Sequence, residues 1–231
     1  MPRHPIIRRT LHTERSRVEA LAETWVEELA NAVTHGIGAV LSIAGLVVMV
    51  TFAAFSGDPW RIVSCAIYGT SLCMLYTAST LYHTFQHPTL KSFLRICDHS
   101  CIYLLIAGSY TPFALVTLRG PLGWTVFGVI WGLAFAGIIF KLFLTGKHEM
   151  LSTLLYLGMG WISVIMAKPL LAHMPMAGVG LIIAGGVAYT FGVIFYAWER
   201  LPYNHAIWHL FVLAGSLFHF LAVLLYVLPV R

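Results

Sequence analysis

Seven stretches of this chain are long, apolar and nearly free of charge, and each is long enough to cross a bilayer. Roughly 30 Å of hydrocarbon takes about twenty such residues in a helix rising about 1.5 Å per residue. The stretches lie near Asn31–Phe55, Arg61–Tyr82, Asp98–Leu118, Leu122–Leu144, Met150–Ala167, Met176–Trp198 and His205–Val227. The fifth is the shortest, because "MAKPLL" sets Lys168 and Pro169 at its end. Hydrophobic residues make up 59% of the chain and charged residues 10%, which excludes a water-soluble fold of 231 residues. The expected fold is all-α: a seven-transmembrane helix bundle over residues 31–228, after an N-terminal segment of residues 1–30. Short connections such as "GDPW" and "RGP" make consecutive helices antiparallel neighbours and leave no room for a soluble domain.

Lys and Arg are shared unevenly between the two faces. Ten fall on the side of the N-terminal segment and four on the other. The bias predicts a cytoplasmic N-terminus and an outside C-terminus. The first apolar run starts some thirty residues in and lacks a small-residue cleavage pattern, so a removable signal peptide is not expected. Glu14, Glu19, Glu23, Glu27 and Glu28 argue against a transit peptide, and residues from about Val18 to Leu29 predict a short amphipathic helix. The net charge of +5 fits this inside bias and anionic headgroups. No basic domain for nucleic acid exists, so membrane lipids are the expected partners. Nothing in the sequence specifies an oligomeric state.

Polar residues at membrane depth are costly and usually functional. "YNHAIWHLF" places His205 and His209 four apart, on one face of the seventh span. This H-x3-H spacing is how a helix commonly presents two imidazoles to one zinc ion. Span parity supplies partners, since the second span ends where the third and seventh begin. "STLYH" ends the second with Ser79 and His83, and "RICDHS" opens the third with Asp98. His83, His205 and His209 then form a three-histidine set with one tetrahedral position left for water, the pattern of catalytic zinc. Asp98 would act as general base, or else pair with Arg95 or Lys91 nearby. Ser79 would orient an imidazole or donate to a developing oxyanion. Glu28, Asn31 and His35 form a polar stripe at the same face, either backing the metal ligands or merely meeting the interface. His219 lies about 21 Å beyond His205, too far to share the metal, and would line a cavity or bond a neighbouring helix. Pro112 should kink the third span. The four cysteines read as small buried hydrophobes.

"EELANAVTHGIG", "STLYH", "DHSCIYLLIAGSYTPF", "GVIFY" and "PYNHAIWHLF" together resemble the hemolysin III proteins. These are the bacterial branch of the progestin and adipoQ receptor family, which includes the adiponectin receptors. The likeness runs from about Glu27 to Tyr226, and within the branch the sequence looks like the inner-membrane proteins of Gram-negative bacteria. It implies a seven-helix bundle with zinc near the cytoplasmic face, held at the positions of His83, His205 and His209, with Ser79 and Asp98 beside it. Because the wider superfamily contains alkaline ceramidases, the resemblance implies a zinc-dependent hydrolase of a lipid amide or ester. The alternatives are a membrane sensor with structural zinc and a cytolysin, as the branch name has it.

Overall fold

The computed structural model describes residues 5–145 and 149–229, with side chains from Thr24 onward, Leu144 excepted. Among the described residues every regular element is helical: α1 (Pro5–Phe55), α2 (Pro59–Thr84), α3 (Pro88–Pro112), α4 (Pro121–Leu144), α5 (Glu149–Trp161), α6 (Ser163–His173), α7 (Met176–Ala197) and α8 (Asn204–Ala222). Seven spans are long and apolar enough to cross a membrane, with α5 and α6 together forming the fifth. Large apolar side chains such as Val40, Leu41, Phe55 and Ile165 face outward, which suits a bundle solvated by lipid tails.

Local sequence explains where the helices begin. Proline stands at the first turn of α2, α3 and α4, where a missing N–H costs nothing. Asp58 caps α2 by accepting from the Trp60 N–H at 3.0 Å. Tyr203, before α8, has φ of 56°, the left-handed region that non-glycine residues rarely occupy. Its N–H donates to Glu27 Oε1 at 3.0 Å, so α1 fixes the angle at which α8 sets off.

Two spans depart from the sequence reading. The third begins at Pro88 rather than near Asp98, so Asp98 lies about 15 Å along α3. Lys91 and Arg95 gave "PTLKSFLRIC" the look of a connection, yet this stretch is the outer part of a helix. The fifth span continues through Lys168 and Pro169 and breaks earlier, at Ile162. There the Tyr110 hydroxyl reaches the Met159 and Gly160 carbonyls at 2.8 and 2.6 Å, a side chain inserted into the helical ladder. Pro112 ends the regular part of α3, and a π turn follows over Phe113–Thr117, with the Leu118 N–H donating to the Phe113 carbonyl at 2.9 Å. The backbone is helical through the stretch expected to be amphipathic, though its side chains before Thr24 lie outside the described residues.

The most extensive helix packing is α1 on α2, α7 on α8 and α2 on α3, with α1 also touching α8. A Cβ on Gly38 of α1 would lie 2.7 Å from the Tyr76 ring and 2.8 Å from Leu213, so glycine allows α1 to nest between α2 and α8. Tyr76 is fully buried and donates to Ser216 Oγ of α8 at 2.7 Å, satisfying a hydroxyl that lipid could not. This packing brings one end of α1, α2 and α8 into side-chain contact.

Candidate metal centre

At that end His83 of α2 and His205 and His209 of α8 point at one another. Ring centroids are 5.0 Å apart for His83–His205, 5.2 Å for His83–His209 and 4.6 Å for His205–His209. One ring nitrogen from each lies within 4.8 Å of the other two, a group of the right spread to hold a metal ion.

Hydrogen bonds decide which nitrogens are available. His83 Nδ1 sits 2.6 Å from Glu28 Oε2, and a carboxylate can only accept, so the proton is on Nδ1. Thr34 Oγ1 lies 3.1 Å from His209 Nδ1 and already reaches the Ala30 and Asn31 carbonyls, each at 2.9 Å. The single Thr34 proton goes to a carbonyl, so its oxygen accepts from His209 Nδ1–H. In both rings the lone pair is left on Nε2. The Nε2 atoms of His83, His205 and His209 are all sealed from solvent and have no hydrogen-bond partner. Two buried acceptors and a third buried imidazole nitrogen, converging without a partner, would be costly by themselves and suit a cation.

The residues backing this group are tied to it by contact. Glu28 bridges His83 and Lys91, with Lys91 Nζ at 2.8 Å from Oε1. His35 stacks on His209 with centroids 3.4 Å apart and planes 12° apart, and its Nδ1 lies 2.7 Å from Ser79 Oγ. Asn31 is buried and its Oδ1 has no partner. Ser79 thus bonds His35 rather than one of the three converging imidazoles. Its hydroxyl also interacts with Asp98, which is buried and lies outside the three-histidine group. Neither Arg95 nor Lys91 forms an ion pair with Asp98, and Lys91 is taken by Glu28.

Thr34 is the contact the sequence did not disclose. A threonine in a helix ordinarily bonds its own backbone, and nothing in "NAVTHG" marks its second role. His99 faces away from the group, with Nδ1 3.3 Å from Lys141 Nζ, and Lys141 pairs with Glu149 at 2.6 Å. His219 does both things expected of it: it lines a cavity, and its Nε2–H donates to the Ile182 carbonyl at 3.2 Å. All four cysteines are free.

A cavity of about 400 Å³ runs inward between α3, the α5–α6 span, α7 and α8. His35, Asp98 and His99 line it at the histidine end, and Leu105, Phe113 and Val212 are part of its apolar wall.

The fold and site define a multi-pass helical membrane protein with a buried three-histidine group at one face and an apolar cavity behind it. The chain belongs to the haemolysin III family, whose family model, described as haemolysin-III related, matches residues 23–220. It is 52% identical over 203 residues to Hemolysin-3 of Bacillus cereus, covering 88% of this chain and 93% of that protein. The Hemolysin-3 homolog of Bacillus subtilis (strain 168) is 50% identical over 204 residues, covering 88% and 96%. The Homo sapiens monocyte to macrophage differentiation factor is 31% identical over 209 residues, covering 87% and 84%.

Proposed function

We propose that the chain is a zinc-dependent hydrolase acting on a lipid amide or ester at the cytoplasmic face. The observation that carries this is the convergence of three buried, partnerless Nε2 atoms beside an apolar cavity whose end holds a carboxylate. Two neutral imidazoles with protonated Nδ1 and a free Nε2 are the ligand form zinc requires, and four-coordination would leave a position open. Zinc held there supplies Lewis-acid polarisation of a carbonyl and an acidified water.

The remaining work falls to the chain. Glu28 and Thr34 hold His83 and His209 in the ligating tautomer. The cavity wall takes the acyl chain out of the bilayer and sets the scissile carbonyl at the end marked by His35 and Asp98. Asp98 accepts the proton released from the attacking water and returns it to the leaving amine or alcohol. Ser79, fixed by His35 from behind, holds the Asp98 carboxylate in place.

The test has two parts. His209→Ala should remove stoichiometric zinc from purified protein, read by elemental analysis, together with fatty-acid release. Asp98→Asn should keep the metal and the fold and lose at least a hundredfold in turnover, the lower range for a general base. Metal-free purified wild type sinks the proposal at its first step.

A second reading is a sensor whose zinc is structural, and it draws on the same geometry, because the group straps α2 to α8. It predicts wild-type behaviour for Asp98→Asn in every assay. The relatives named Hemolysin-3 raise a third, lysis of target membranes. Lysis by a variant lacking His83, His205 and His209 would favour it over both zinc readings.

A further inference from the structure

Charges near the centre are matched almost one to one. Lys91 is neutralised by Glu28 at 2.8 Å and Lys141 by Glu149 at 2.6 Å. Arg95 of α3 is the exception. It is half-buried, forms no ion pair or hydrogen bond with any described residue, and its Nε is sealed from solvent without a partner. Nε is the only guanidinium nitrogen that is sealed, so the outer edge of the fork stays open to a ligand. A planar donor fork, partly withdrawn from water and left unmatched, is built to meet an oxyanion.

Its position says which one. Arg95 precedes Asp98 by three residues, so the two project from nearly one face of α3, with Arg95 about 4.5 Å nearer the membrane surface. Asp98, His99 and Tyr196 line the cavity, whereas Arg95, three residues before Asp98 on α3, is not part of that lining. It lies within electrostatic reach of His99 and Tyr196, both of which line the cavity. Among the described residues no carboxylate forms an ion pair with it.

We propose that Arg95 binds the anionic headgroup of the acyl lipid whose chain fills the cavity. That headgroup is a phosphate or carboxylate within about one helical turn of the carbonyl set before Asp98. The placement of the carbonyl rests on the hydrolase reading above; the anion site itself does not. Substrates of this class are lysophospholipids and N-acyl amino acids, in which the oxyanion is a few bonds from the ester or amide. Neutral amides and monoacylglycerols leave the guanidinium unmatched.

The full chain in a neutral maltoside detergent is titrated with 1-palmitoyl-lysophosphatidate, N-palmitoylglycine and 1-monopalmitoylglycerol. Binding is read by calorimetry and palmitate release by mass spectrometry. Wild type should bind one or both anionic amphiphiles at least tenfold more tightly than the neutral one, and the margin should shrink as NaCl rises. Stronger binding of the phosphate or of the glycine conjugate tells the two headgroup sources apart. Arg95→Gln should lower anionic affinity to the neutral level while leaving monopalmitoylglycerol binding unchanged, and Arg95→Lys should recover part of the margin. Equal affinities in wild type, a margin indifferent to salt, or a margin kept by Arg95→Gln would each overturn the proposal. Anion preference without palmitate release from any probe supports the Arg95 site and sinks the hydrolase reading.

Discussion

Glu28 holds one carboxylate oxygen against His83 and the other against Lys91, which ties the proton position on the imidazole to an ion pair at the surface. Outer partners of ligating histidines commonly contribute 10–100-fold in metal affinity. Glu28→Gln should weaken zinc binding by about that factor in a chelator competition, and Thr34→Val should do so through His209 by a smaller one. Affinity should also fall on acidification, because an imidazole must be neutral to ligate. At this scale the sequence disclosed the three converging histidines, Asp98 and Ser79, but not Thr34. Histidine and aspartate at membrane depth announce themselves by their cost, and Ser79 stands one turn from His83, whereas Thr34 is unremarkable in composition and meets His209 only across two helices.

Among the helices, the glycines separate those that touch from those that meet lipid. Gly38 lies against Tyr76 and Leu213, while an added Cβ on Gly128 of α4 would meet nothing within 4 Å. Gly38→Ala should therefore destabilise the bundle by about 1–3 kcal/mol, the usual range for overpacking. Gly128→Ala should be neutral or slightly stabilising, with both read from thermal unfolding in detergent. Hydropathy located every span but misplaced two ends. Lys91 and Arg95 lower the apolar score of a segment that Pro88 starts as a helix, although its first turns are largely exposed and only Leu94 is buried there. Pro169 looked like a terminator, yet the break lies seven residues earlier, where the Tyr110 hydroxyl engages two carbonyls. That contact joins α3 to α5, and no local pattern encodes it.

For the molecule as a whole, the proposed metal would link binding to folding. A ligand bound only by the native state stabilises it, by about 2.7 kcal/mol when free ligand is 100 times its Kd. Chelation should lower the unfolding midpoint, and added zinc should restore it in wild type but not in His209→Ala. The overall architecture was legible because lipid imposes seven apolar lengths and alternating direction, and parity alone put the second, third and seventh spans at one face. The cavity was not legible, since it is a space between α3, α5, α6, α7 and α8 and belongs to none of them.

The three-histidine group joins the second helix to the last, and its supports Glu28, Thr34 and His35 come from the first. During synthesis His83 and Glu28 enter the bilayer long before the ribosome reaches His205. For that interval the nascent chain has an imidazole and a carboxylate but no chelate. Only the emergence of the final span brings the second and third imidazoles to the first, beside the Tyr203–Glu27 contact. On the proposed zinc reading, metal capture would be a checkpoint on completed insertion, and a chain stalled before α8 would lack the ion.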